Sequence, residues 1–186
     1  GVRGLKAAIL ISISLALAAG GYFFVIQQIF MGSLFFLLAF ESYKTWDEIK
    51  KLTPHDLKPE LVQKIQEGVD DLQAGNLTEA LAKFTLVREE APKGMLYVSA
   101  SQYGARVLAE QGNYKMAYLW LYPLKSRLSL DYLLLLQQLA YRLQEWEEAV
   151  KAGEQAYQQE PMIDTALLNS FAYAIMGQAT PAVGWL

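Results

Sequence analysis

Four alanines recur in one helical frame. Ala80, Ala117, Ala149 and Ala182 each stand five residues after a turn-type position (Gly75, Gly112, Gln144 and Gly177), and the first interval between them is the longest. A small residue returning in a fixed frame, at a period of about 34 residues, predicts an array of helix–turn–helix units. One such unit cannot bury its apolar face alone, so neighbours have to stack. This restricts that part of the chain to an all-α fold, and it favours a docking surface over a reaction centre.

The other constraint lies upstream. No residue from Ala7 to Phe40 is charged. As one helix this run would be about 51 Å long, whereas an apolar layer of about 30 Å needs only about 20 residues. Two spans with a tight turn fit better, the turn falling between Gly20-Gly21 and Gln27-Gln28. Such a hairpin puts Arg3 and Lys6 on the same side as Lys44, Lys50 and Lys51. The positive-inside rule makes that side cytoplasmic, with Tyr43 and Trp46 at the interface. A cleaved signal peptide has a shorter apolar core than this run. A single tilted helix with a re-entrant piece is the other alternative. Ser12, Ser14, Gly20, Gly21, Gly32 and Ser33 suit close helix–helix contact, although ordinary tolerance of Gly and Ser within spans is the favoured reading. With no ionisable side chain in the run, a proton or ion pathway through it is not expected.

Charge separates the two parts. Residues 1–46 carry a net +2 and residues 47–186 a net −5. The mildly acidic part has no basic stripe, which argues against nucleic acid as a partner. The absence of cysteine rules out disulfides, thiolate nucleophiles and Cys-ligated zinc. The start at Gly1 without Met, and the stop at Leu186 within an expected helix, read as an internal fragment of a longer protein.

Residues 61–186 resemble tetratricopeptide repeats. The first unit, GVDDLQAGNLTEALAKFTLVREEAP, has Gly68 as the small residue of its first helix, Gly75-Asn76 as its turn, Ala80, the large Phe84 and the closing Pro92. The second has Ala105, Gly112-Asn113-Tyr114, Ala117 and Leu121. The third has Trp146, Ala149, Ala156 and Pro161, and the fourth Ser170, Tyr173, Gly177 and Ala182. Some positions depart from the pattern. Pro123 is expected to kink or end the second unit's second helix. Gln137 stands where a small residue is expected and Gly153 where a large one is, so the third unit is expected to pack less tightly. The longer interval from Ala80 to Ala117 is expected to be absorbed in the Pro92-Lys93-Gly94 loop. The resulting expectation is a transmembrane helical hairpin in residues 1–46, a linker over 47–60 and a TPR-like α-solenoid of three to four helix pairs over 61–186, the last truncated. Within the linker, Thr53-Pro54 reads as a helix N-cap with Pro at the first position, and Lys58-Pro59-Glu60 opens the first repeat helix.

The resemblance implies a concave groove lined by the first helices of the units, at Ile65, Val69 and Leu72; Gln102, Arg106 and Glu110; Leu134, Gln138, Tyr141 and Arg142; and Asp164, Leu167 and Phe171. Its partner-binding candidates are Gln102, Arg106, Gln138, Tyr141, Arg142 and Asp164, with Arg106 and Arg142 read either as solvated charges on the helix face, the favoured reading, or as partners for carboxylates of a bound protein or peptide. Catalysis has no candidate. His55 is the only histidine, and no phosphate loop, nucleophile elbow or HExxH occurs. Tyr118, Trp120 and Tyr122 read as packing, and Glu89-Glu90 and Glu147-Glu148 as solvated faces. No cofactor or metal is assigned.

The expected function is a membrane-anchored scaffold that holds a protein or peptide partner at the cytoplasmic face of the bilayer. A weaker resemblance offers an alternative. The segment ending GSLFFLLAFESYKTW is similar in hydropathy and layout to the last spans of site-2 type intramembrane zinc metalloproteases, some of which carry such repeats afterwards; rhomboid-type serine proteases are a second option. On that reading the catalytic groups lie upstream of Gly1. A third reading is an assembly factor for a membrane complex.

Overall fold

The computed structural model describes residues 2–50 and 52–185, and the described secondary structure is helical throughout, without a strand. The chain forms two compact units. One comprises residues up to Pro59 together with Lys93–Met95, and the other Glu60–Pro92 and the residues from Leu96 onward.

In the first unit, α1 (Val2–Val25) and α2 (Ile29–Lys50) pack antiparallel. Between them, Gln27 takes a left-handed φ of 61°. Gln28 N donates to Phe23 O at 2.9 Å and Gln27 N to Phe24 O at 3.0 Å. These are the two closing bonds of a Schellman cap. The turn therefore falls at Gln27-Gln28, and Gly20 stays inside α1. A Cβ on Gly20 would lie 3.1 Å from the Phe36 ring, and one on Gly32 would lie 2.7 Å from the Phe24 ring. Gly20 and Gly32 are thus contact residues rather than merely tolerated ones. Ser12 and Ser14 bond the carbonyls of Ala8 and Leu10 one turn back, so their hydroxyls need no partner outside α1. Lys6 donates to the carbonyls of Lys50 and Leu52, which puts those basic positions at one end of the pair; Lys51 lies outside the described residues. α1 is the helix, among the described residues, that is long and apolar enough to cross a membrane. In α2 the uncharged stretch runs only from Ile29 to Phe40, about 18 Å of helix. The helix itself continues to Lys50, past the boundary expected at 46.

After α2, Thr53 caps a 3-10 turn, Pro54–Leu57, through a capping box with Asp56. Thr53 N donates to Asp56 Oδ2 at 2.6 Å and Thr53 Oγ1 donates to the same oxygen at 2.8 Å.

The second unit contains α3 (Pro59–Gln73), α4 (Leu77–Glu90), α5 (Met95–Glu110), α6 (Tyr114–Leu121), α7 (Leu130–Arg142), α8 (Trp146–Gln159), α9 (Ile163–Ile175) and α10 (Ala179–Gly184). Four of its turns are built alike. Gly75, Gly112, Gln144 and Gly177 have φ of 80°, 79°, 64° and 74°. Each turn closes with the same pair of bonds, as in Asn76 N to Asp71 O (2.8 Å) with Gly75 N to Leu72 O (3.1 Å), or Glu145 N to Ala140 O (2.9 Å) with Gln144 N to Tyr141 O (3.2 Å). Each of the four alanines then donates its N–H to the carbonyl of the residue after the turn position, and all four are buried. Left-handed backbone costs a residue with a Cβ roughly 1–2 kcal/mol, and glycine's greater freedom in the unfolded chain offsets part of that. Gln144→Gly is therefore expected to raise stability by about 0.5–1 kcal/mol. The denaturant midpoint of tryptophan fluorescence checks this, and a lower midpoint would show that the Gln144 side chain itself holds the turn.

Twelve residues before each alanine, Gly68, Ala105, Gln137 and Ser170 are all buried. A Cβ on Gly68 would lie 2.7 Å from Phe84, so the small residue of α3 receives the large one of α4. In α7 and α8 the sizes are exchanged. Gln137 is large, and Gly153, at the position expected to be large, gives it room, for a Cβ there would strike Gln137 Nε2 and Asn169 Oδ1. Gln137 Nε2 donates to Asn169 Oδ1 at 2.9 Å and to Thr165 O at 3.2 Å. The expectation of loose packing is thus corrected: Gly153 makes room for the buried Gln137, and a buried hydrogen bond joins α7 to α9. In the last pair, Ser170 Oγ donates to Ala182 O at 2.8 Å.

Pro123 acts as its ring chemistry requires. α6 ends at Leu121 after eight residues, and a 3-10 segment, Tyr122–Arg127, follows. The long first interval is only partly a loop effect. α4 runs on to Glu90, well past Ala80, and α5 is one turn longer than α7, running Met95–Glu110 against Leu130–Arg142. The excess therefore lies in the helices as well as in the loop.

Candidate partner-binding surface

The first helix of each pair keeps one residue per turn on the same side. On α5 these are Gln102, Arg106 and Glu110; on α7, Leu134, Gln138 and Arg142; on α9, Leu167, Phe171 and Ile175. Spacing of four places each set in a row. Arg106, Glu110, Gln138, Arg142, Leu167, Phe171 and Ile175 are exposed, and Gln102 and Leu134 are half-buried. Ile65, Val69 and Leu72 of α3 are half-buried against the core around Leu61, Ala80 and Phe84.

Two depressions open on these rows. The first, about 300 Å³, is lined by Arg106, Ala109, Glu110, Tyr114, Leu135, Gln138, Leu139 and Arg142. The second, about 470 Å³, is lined by Gln138, Tyr141, Arg142, Gln144, Trp146 and Leu168. They are lined in part from corresponding positions, with different side chains. Arg106, Ala109, Glu110 and Tyr114 recur one repeat later as Gln138, Tyr141, Arg142 and Trp146, and Leu135 recurs as Leu168. Gln138 and Arg142 belong to both.

The two arginines differ in what already holds them. Arg106 Nε is 3.3 Å from Glu110 Oε1 one turn on, with both side chains well exposed, a pair of small energetic value. The Arg142 guanidinium lies 5.0 Å from the centre of the Tyr114 ring, the first residue of α6, and has no ion-pair partner among the described residues. The ring contact holds the head in place and leaves its N–H groups available to a carboxylate. Tyr141 meets Trp146 edge to face, with centroids 5.1 Å apart, which fixes one wall of the larger depression.

The structure thus brings Arg106, Gln138, Tyr141 and Arg142 together. Gln102 and Asp164 line neither depression. Tyr114, Trp146, Leu135 and Leu168 belong to the surface although the groove pattern did not name them. Tyr114 and Trp146 carried a legible signal, since both are aromatic and both open a second helix two residues after the turn position.

Elsewhere, Trp120 of the aromatic cluster is buried, while Tyr118 and Tyr122 are half-buried. No group of histidines and carboxylates among the described residues is arranged to hold a metal ion. No protein-family model matches the chain, and no curated protein matches it in sequence.

Proposed function

We propose that the chain is a membrane-anchored, TPR-like α-solenoid that binds an extended segment of a partner protein along the rows of α5, α7 and α9. One observation carries this reading: two depressions lined in part from corresponding positions lie side by side, with Arg142 and Gln138 shared. A surface that repeats at that interval suits a ligand that is itself extended, with each depression taking one side chain. Arg142 offers a carboxylate a bidentate partner already oriented by Tyr114. The apolar positions Leu167, Phe171 and Ile175 continue the surface for a hydrophobic part of the same ligand.

The anchor is the first unit, as a transmembrane hairpin. α1 crosses the apolar layer and α2 returns beside it. The uncharged stretch of α2 is short for a full span, and just beyond it the ammonium of Lys44 pairs with Glu41 at 3.0 Å over the Phe40 ring. The basic end of the pair, with Arg3, Lys6 and Lys50, then faces the cytoplasm, and the repeats follow on that side.

Arg106→Glu combined with Arg142→Glu is expected to abolish capture of the partner in crosslinking and pulldown from native membranes. The helical circular dichroism is expected to stay unchanged and the melting curve to move only slightly, because both side chains are exposed and lose one weak pair and one ring contact. Undiminished capture by the double variant would remove this surface from the binding role.

A further inference from the structure

α2 has two unlike faces. The face turned to α1 carries Gly32, Phe35 and Ala39. Gly32 and Ala39 are buried, and Phe35 stacks on Phe23 with centroids 5.4 Å apart. Residues two apart lie about 200° from each other around a helix, so Phe30, Leu34, Leu37, Glu41 and Lys44 stand on the opposite side, and all five are exposed. Their spacing alternates between four and three residues, the period of a helix–helix seam. Glu41 and Lys44 pair at 3.0 Å, with side chains 58% and 57% exposed.

The depth of this charged pair follows from the register of the hairpin. Gly20 meets Phe36, Gly32 meets Phe24, and Lys6 reaches the carbonyl of Lys50. In the same register Glu41 is level with Leu15, and Lys44 with Ser12. Those positions lie about 9–14 Å along α1 from Lys6, and Leu10, Ile11, Leu15 and Leu17 are exposed there. At one level, then, the pair of helices is apolar on α1 and charged on α2. With α1 crossing the bilayer, Glu41 and Lys44 stand inside the apolar layer, where ionisable side chains rarely face lipid.

We propose that the outer face of α2 is covered by the same face of a second copy of the chain, in a parallel pair of α2 helices within the bilayer. This rests on the reading of the first unit as a transmembrane hairpin. Both copies enter the layer from the same side, so their α2 helices run parallel, and a two-fold axis sets residue i against j and j against i. The face is then complementary to itself in charge. Glu41 of each copy stands one turn from Lys44 of the other, and two reciprocal pairs close across the seam. Phe30, Leu34 and Leu37 pack on their counterparts nearer the turn. Polar residues in such a seam fix register and the number of strands. Hydrocarbon offers neither charge a partner, whereas a second α2 offers both.

The chain has no cysteine of its own, so single cysteines report the seam. Membranes carrying the full chain are washed with alkaline carbonate and oxidised with copper phenanthroline, and disulfide-linked dimer is read on non-reducing gels. Leu34→Cys and Leu37→Cys are expected to give about fivefold more dimer than Ile29→Cys and Tyr43→Cys, which are exposed off the seam, since a disulfide closes only at short Cα separations. With Leu37→Cys as reporter, Glu41→Lys and Lys44→Glu are each expected to cut the yield about fivefold. Co-expression of these two variants under different tags is expected to restore it as the mixed dimer. Neither chain of that dimer keeps a Glu41–Lys44 pair within its own helix, so recovery arises only across the seam. The proposal is overturned if the chain stays in the washed membranes and the four cysteines crosslink alike, if the linked product has the mass of a different protein, or if the mixed dimer is not restored. Release of the chain by the wash would overturn the transmembrane reading together with it.

Discussion

Gly153→Leu is expected to cost about 3 kcal/mol or more, from overpacking and a broken buried hydrogen bond together. Even a Cβ at this position collides with Gln137 Nε2 and Asn169 Oδ1, and both neighbours are almost completely buried, at 1% and 0% exposure. Neither can swing into solvent. The larger side chain must therefore break the 2.9 Å hydrogen bond between them, or push α8 away from α7 and α9. Overpacking alone costs roughly 1–3 kcal/mol, and a buried polar group stripped of its partner costs about 1–3 kcal/mol more. The test is a double-mutant cycle with Gln137→Ala, measured by denaturant unfolding followed through tryptophan fluorescence. Gln137→Ala opens room for the leucine, so the two changes together are expected to cost less than the sum of the singles by about 1 kcal/mol or more, within the range for contacting residues. Recovery stays incomplete because Asn169 Oδ1 has then lost its donor. Strict additivity would show that Gln137 and Gly153 do not share one space.

Phe84→Ala is expected to cost about 3–5 kcal/mol, the range for removing a buried aromatic side chain. Phe84 is fully buried against Gly68, and its ring stacks on Tyr103 with centroids 5.5 Å apart. It thus ties α4 to both α3 and α5. The hole cannot close by collapse of α3, since Gly68 has no side chain to move into it. Loss of helicity on heating the variant is expected to begin with α3 and α4, as hydrogen exchange of their amides would record. A cost under about 1 kcal/mol, well below the range for such a truncation, would mean that the first pair packs through other residues.

The frame of the second unit was legible from its residues, because turn chemistry is local. Glycine at Gly75, Gly112 and Gly177 marks the left-handed positions, and counting five residues onward finds the buried alanines. Gln144 was legible by period alone, and it adopts the same backbone with a Cβ in place. The end of α6 was legible for the same kind of reason, since proline's missing N–H acts on its own helix. The length of α5 was not, because how far a helix extends before its first buried turn depends on what it packs against.

Much less of the candidate surface was legible. Repeat counting placed Arg106, Gln138, Tyr141 and Arg142 on related positions. It gave no means of knowing that Arg142 lies over the Tyr114 ring while Arg106 pairs weakly with Glu110, since side-chain pairing is chosen among neighbours brought together only by folding. Gln102 and Asp164 fit the same count and line neither depression.

By itself, the sequence determined the helical class, the uncharged N-terminal run and the period of the turns, all of which follow from backbone sterics and from the transfer of apolar surface out of water along contiguous segments. The tertiary structure alone decided that Gln137 and Gly153 exchange sizes, that Gly20 and Gly32 are points of close approach, and which arginine lies over an aromatic ring. These depend on volume and charge shared between residues distant in the chain, and such sharing is settled only when the helices meet.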